Sequence, residues 1–187
     1  MGNCRNLAFV AALAALTSGA AQAAPVQWET SAGGNDHWYE VVFGSFSWDT
    51  ANTAATSSTH LGETGYLASI TSALEQTFIN SLNPNNARAW LGGTDAAIEG
   101  IWEWTSGEAF AYSNWYSGEP NNYYGEDHLV GWWVGDQWND WDRSNLSSAY
   151  IVEYDVGVAP IPLPAGLPLV LGALGLLGFA SRRRKAS

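Results

Sequence analysis

Cysteine occurs once in the 187-residue chain, at Cys4. A single thiol excludes an internal disulfide and any Cys-based zinc site. Basic residues are scarce too. Lysine and arginine total seven, and Arg5, Arg182, Arg183, Arg184 and Lys185 sit at the two ends. Only Arg88 and Arg143 lie between. They face eighteen acids, all from Glu29 to Asp155, so two cations against eighteen anions leave that stretch at −16. Such a surface cannot neutralise phosphates, which excludes nucleic acid as a partner. No Ser-His-Asp order, reactive cysteine or phosphate loop occurs there, so the reading is not an enzyme. Long apolar runs are absent except at the ends.

Those ends read as addresses. Arg5, the apolar run Leu7 to Leu16 and the small residues Ala21 to Ala23 form a signal peptide over residues 1–23. It is too short to span a bilayer permanently. At the other end, the run Leu167 to Ala180 lacks the polar positions of a core helix and is followed by the basic cluster. With "PLPA" at Pro162 to Ala165, this tail resembles a PEP-CTERM-type sorting signal. The resemblance implies export by a Gram-negative bacterium and transient inner-membrane anchoring through residues 161–181. Cleavage by an exosortase and release to the cell surface or outside would follow. Residues 156–187 are thus linker plus sorting signal, and residues 24–155 one domain.

What the domain has in plenty is tryptophan, eleven residues from Trp28 to Trp141, enough for a core without staples. Alternation over His37 to Gly44 predicts a strand. Ser47 is placed to cap a helix with Trp48, Ala51 and Ala55 on one face. Gly65 to Ile70 reads as a short strand. Thr71 or Ser72 caps a second helix, with Leu74, Phe78 and Leu82 as its apolar stripe. "AWLGG", "GIWEWTSG" and "AFAYSNW" suggest short strands among long ordered loops, and "HLVGWWV" and "AYIVEYD" the closing strands. Trp48, Trp90, Trp102, Trp104, Trp115 and Trp138 are assigned to the core, with at least two of Trp132, Trp133 and Trp141. His37 and His60 read as loop residues.

Two acidic stretches stand out. "GEPNNYYGED" puts Glu119, Glu126 and Asp127 in ten residues, and "QWNDWD" adds Asn139, Asp140 and Asp142. A solvated acidic surface and a bound cation both account for them. The order and spacing of "SWDTANTAA", "GYLASITSALEQTFI", "WLGGTD", "EGIWEWTSGEAFAYSNWYSGEPNN", "GED", "WND" and "YIVEY" resemble C-type lectin-like domains. The resemblance implies an α+β fold: two helices, two small antiparallel sheets and a long calcium-binding loop region. It implies a main calcium site at Glu119, Asn121, Glu126, Asn139 and Asp140, and a possible second at Asp95, Glu99, Asn122 and Asp127. A cis bond between Glu119 and Pro120 is implied as well. Where the family has cysteine pairs, this chain has Ala55 with Val152 and His128 with Arg143.

The donor set suits calcium, which takes six to eight oxygens. It does not suit zinc, and "DWDRSNLSSAYI" lacks the glycine and final glutamate of an EF-hand. Five residues leave the ion unsaturated, and two vicinal sugar hydroxyls fill the gap. Each accepts a hydrogen bond from Asn121 or Asn139 and donates one to Glu119 or Glu126. Tyr123 or Tyr124 packs on the ring. The expected function is calcium-dependent binding of a glycan or exopolysaccharide through mannose- or glucose-type hydroxyls. The alternative is a calcium-stabilised protein-binding or structural matrix component. Carboxylates held ionised by a metal make poor general acids, which again argues against catalysis.

Overall fold

The computed structural model describes residues 24–156. The segments read as a signal peptide and a sorting signal, with most of the expected linker, lie outside them. Among the described residues no helix is long and apolar enough to cross a membrane.

The chain enters through a two-residue strand β1 (Val26–Gln27) and a 3-10 turn, then β2 (Trp38–Phe46), the strand expected from alternation. Helix α1 (Trp48–Ser57) begins where Ser47 Oγ accepts the Thr50 amide at 3.3 Å, with Asp49 in its first turn. A carboxylate and a hydroxyl there satisfy amides that the helix cannot. Trp48, Ala51 and Ala55 are its buried face, as the sequence predicts. A small hairpin, β3 (Thr59–His60) and β4 (Glu63–Thr64), turns at Leu61 and Gly62, both at positive φ, and leads to β5 (Tyr66–Leu67).

Helix α2 (Ala73–Leu82) is capped by Ser72 Oγ, which accepts the Glu75 amide at 3.1 Å. Its buried face keeps two residues of the predicted stripe, Phe78 and Leu82, which pack half-buried against the core. Leu74 is 65% exposed, whereas Glu75, Gln76 and Ile79 point inward. Hydrogen bonding decides this. Glu75 receives the Thr71 amide and hydroxyl and the Tyr39 hydroxyl, and Gln76 Oε1 receives the Trp138 indole at 2.9 Å. Buried donors need such acceptors, and leucine supplies none.

The remaining strands are β6 (Ala89–Thr94), β7 (Glu103–Trp104), β8 (His128–Gly131), β9 (Asn139–Trp141) and β10 (Ser147–Tyr154). Two antiparallel halves form: β1, β2, β10 and β5, and then β6, β7, β8 and β9. The parallel pairing of β10 with β6 joins them into one eight-stranded sheet. Close packing of β6 on β5 depends on Gly92, where a Cβ would lie 2.4 Å from the Leu67 carbonyl oxygen. "AFAYSNW" makes no strand. Its Phe110, Tyr112 and Trp115 pack around the fully buried Trp138 instead.

One core cluster centres on Trp138, Trp104, Ile79 and Leu91, the other on Trp48, Trp90 and Val152. Trp48, Trp90, Trp104, Trp132 and Trp138 are buried. Trp102, Trp115, Trp133 and Trp141 are half-buried against the clusters. Ala55 and Val152 pack in the same cluster, so apolar contact stands where the family has a disulfide. At the second missing pair, His128 lies 4.3 Å from the Trp48 ring and Arg143 pairs with Asp49 at 3.2 Å.

Candidate functional site

The loop before β8 folds back on itself through four residues at positive φ: Gly118, Asn122, Tyr124 and Gly125. The Glu119–Pro120 peptide is cis. Asn122 ties the loop together. Its amide N–H donates to Asp140 Oδ2 at 2.6 Å, and its side-chain oxygen accepts the Glu126 amide at 2.8 Å. Asn139 and Asp140 approach from β9, held in register by β8, where Leu129 faces Asp140 and Val130 faces Asn139. Strand pairing thus fixes one wall of the site, and a self-bonded loop brings up the other.

Three oxygens in this place are buried without a hydrogen-bond partner: Glu119 Oε2, Asn139 Oδ1 and Asp140 Oδ1. The Asn139 amide donates to the Asp140 carbonyl, which turns its own oxygen away from that bond. Leaving a buried acceptor unpaired costs about 1–3 kcal/mol. Three together mark a place built for something positive. Glu126, also buried, has its carboxyl pushed up to about 7, first by burial and then by the charge of Asp140. Glu119 is raised by burial and by Asp140 as well. A cation would remove both penalties. Among the described residues no three His, Cys, Asp or Glu side chains close into a metal-holding group by themselves. The set here relies on asparagine oxygens as well as carboxylates, a mixture of hard donors that fits calcium.

The second group is less gathered. Asp95 is buried. Its Oδ2 accepts the Gly100 amide at 2.9 Å while Oδ1 is unpartnered. Its backbone amide donates to the Asp127 carbonyl at 3.2 Å, which brings Asp127 alongside. Glu99 is exposed, and the Asn122 oxygen is committed to the Glu126 amide. Tyr123 and Tyr124 project beside the loop, 66% and 87% exposed, in an edge-to-face pair 4.4 Å apart. Asn121 is exposed. A separate apolar groove of about 390 Å³, lined by Trp28, Leu74 and Phe78, shares no residue with these loops.

Sequence reasoning missed one polar constellation. His37 is a loop residue as expected but lies 2.7 Å from the buried Glu153, and His60, expected in a loop, belongs to β3 and packs at a tilt against Trp38 and Tyr154. The legible signal was a glutamate inside the apolar run "YIVEY", a carboxylate that burial obliges to find donors.

An α+β domain with long loops hung from a small sheet is the architecture of the C-type lectin-like class. The sequence profile of the Lectin C-type domain matches residues 45–152, more than half of the chain, which therefore belongs to that family. The galactose-specific lectin nattectin of Thalassophryne nattereri is 36% identical over 91 residues, covering 46% of this chain and 54% of that protein. The mannose-binding protein of Gallus gallus is 41% identical over 89 residues, covering 46% and 34%. The chain thus spans about half or less of the length of these relatives. Among solved structures, the cow CD23 carbohydrate-recognition domain, crystallised in the presence of a GlcNAc2Man3 oligosaccharide, is 30% identical with a TM-score of 0.57. It covers 64% of this chain and 88% of that one. The EPNH mutant of CEL-I is 28% identical with a TM-score of 0.59, covering 70% and 96%.

Proposed function

We propose that this chain is an exported, calcium-dependent lectin for mannose- or glucose-type hydroxyls of a cell-surface or extracellular polysaccharide. The observation that carries the reading is the trio of buried, unpartnered oxygens on Glu119, Asn139 and Asp140. When bound, calcium would be held by Glu119, Asn121, Glu126, Asn139 and Asp140 and would supply coordination positions for two vicinal hydroxyls. The remaining chemistry belongs to the side chains. Asn121 and Asn139 donate to the hydroxyl oxygens, and Glu119 and Glu126 accept their protons. Tyr123 and Tyr124 offer apolar area to the ring. The second calcium group at Asp95, Glu99, Asn122 and Asp127 has one unpartnered oxygen and ranks behind the first. The relatives' names divide between galactose and mannose, so the choice here rests on the "EPN" order.

In this reading the signal peptide exports the chain. The apolar tail holds it in the inner membrane of a Gram-negative bacterium until an exosortase cuts. A glycan array probed with calcium and with chelator tests the function. Binding to mannose-type glycans that chelator abolishes supports it. Glycan binding indifferent to chelator, or none in calcium, overturns it in favour of a structural or protein-binding component.

A further inference from the structure

Four groups meet toward the β1 edge of the sheet, away from the loops that hang from β8 and β9. Glu153 of β10 and Glu75 of α2 are buried carboxylates, and Tyr39 of β2 lies between them. Its hydroxyl is 2.5 Å from Glu75 Oε1 and 3.0 Å from Glu153 Oε1, and it accepts from Asn35 Nδ2 at 2.9 Å. The outer oxygens are occupied. Ser69 N donates to Glu153 Oε2 at 3.0 Å. Thr71 N and Oγ1 donate to Glu75 Oε2 at 2.7 and 2.8 Å. His37 Nδ1 lies 2.7 Å from Glu153 Oε1 and, with a side chain 20% exposed, connects the group to solvent.

One phenol proton cannot satisfy two carboxylates at once. Burial raises the Tyr39 phenol far above its usual range, so it remains a donor. Two ionised carboxylates around it would form an uncompensated buried charge pair, which is costly. Among the described residues no guanidinium relieves it: Arg143 pairs with Asp49, and Arg88 lies over the Trp133 ring. The other titratable groups nearby are Asp155, 3.9 Å from His37 Nδ1, Tyr66, whose hydroxyl donates to Asp155 at 2.7 Å, and Glu108 beyond β7. All are acids or a phenol. The one basic side chain in contact with the group is His37, so a proton shared between His37 and Glu153 is the neutralising charge at hand.

We infer that His37, Glu153, Tyr39 and Glu75 form a proton-linked clasp that fastens the segment before β2, and helix α2, to the end of β10, and that it loosens as the pH rises past neutrality. The clasp is where that segment is anchored. Trp28 N donates to the His37 carbonyl at 2.9 Å, Asp36 N donates to the Trp28 carbonyl at 2.8 Å, and the Trp28 ring stacks on Phe78 of α2. The hydrogen bond to Glu153 raises His37, and burial raises Glu153 to about 7. Both folded values exceed the unfolded ones, so the folded state binds more protons. The Glu153 contribution is whole below its ordinary 4.5 and is lost as pH rises through about 7. That of His37 is whole below 6.5 and is lost as pH rises through its raised value.

The test uses the full chain at fixed calcium. Imidazole NMR, with His37→Gln to assign the signal, should place the His37 midpoint above 6.5. Amide exchange protection at Ser69 and Thr71 should fall about tenfold between about pH 6 and pH 9, while the β8 and β9 amides keep theirs. Glu153→Gln should abolish that pH dependence. A midpoint at or below 6.5, flat protection in the wild type, or the same fall in Glu153→Gln would overturn the clasp. If Glu153→Gln fails to fold, the wild-type midpoint and exchange profile decide alone. Sugar binding enters none of these readouts, so failure here is separable from failure of the lectin assignment.

Discussion

In the proposed lectin site Glu119 and Asn121 would offer a sugar opposite hydrogen-bonding characters, one accepting and the other donating as well. Exchanging them, as Glu119→Gln with Asn121→Asp, keeps one carboxylate, one amide and the local charge, and only the pattern inverts. Each mispaired group would cost the old ligand about 1–3 kcal/mol. The double variant should still bind calcium but lose mannose-type glycans, which calorimetry and a glycan array would measure side by side. An unchanged glycan profile would mean that these residues do not read the sugar. Glu126 makes a second residue-level prediction. Its metal-free carboxyl, raised to about 7 by burial and Asp140, takes up a proton as pH falls through that value. Calcium must displace that proton, so its affinity should weaken on acidification below about 7. Stability without metal moves the other way. A raised carboxyl contributes most at low pH and loses that contribution as pH rises through its folded value. Melting curves in chelator at several pH values, for wild type and Glu126→Gln, should therefore show wild type gaining on the variant as pH falls. The type of these residues was readable in sequence. Their burial was not, because it depends on which loop closes over them.

At the scale of elements, α2 shows where pattern reading ends. Its Ser72 cap and its span were legible from local chemistry, and so were Ser47 and the Trp48, Ala51, Ala55 face of α1. The stripe of α2 was legible only in part. Phe78 and Leu82 pack against the core, but Leu74 faces solvent, and donors on the local Thr71 and the distant Tyr39 and Trp138 hold Glu75 and Gln76 inward. Hydrophobic period is a local signal, while hydrogen-bond demand arises from strands distant in sequence. The same holds for "AFAYSNW", whose aromatic run suggested a strand and which instead packs its rings around Trp138. Three substitutions separate the two faces. Leu74→Lys should change stability by less than about 0.5 kcal/mol, and Ile79→Ala should cost about 2–5 kcal/mol. Ser72→Ala should cost about 1 kcal/mol through the lost cap. Urea unfolding of the three variants in calcium would check the order. If Leu74→Lys proved the most damaging, the whole predicted stripe would be buried after all.

For the whole molecule, charge and stapling are linked. Residues 24–156 hold eighteen acids and two arginines with no disulfide, so folding gathers like charges without a covalent constraint. Disulfides typically contribute about 2–4 kcal/mol each, and two pairs present in the family are replaced here by Ala55 with Val152 and His128 with Arg143. Part of the substitute is apolar packing, since Ala55 and Val152 share a core cluster. In the other pair His128 packs on Trp48 and Arg143 pairs with Asp49, and in the proposed lectin a bound calcium would add cohesion to the carboxylate-rich loops nearby. A ligand that binds only the folded form stabilises it by about 2.7 kcal/mol at a hundred times its Kd, comparable to one lost staple. Chelation should therefore lower the melting temperature clearly, and calcium should restore it. Magnesium should restore little, because it holds its waters and demands a stiffer octahedron. Added monovalent salt should recover only the share due to long-range repulsion, which is screened beyond about 8–10 Å near physiological ionic strength. Differential scanning calorimetry across these conditions separates the terms. If salt alone matched calcium, general repulsion would account for the loss and the loop oxygens would need no dedicated ion; if calcium exceeded salt at equal ionic strength, the unpaired oxygens of Glu119, Asn139 and Asp140 would be where the difference arises.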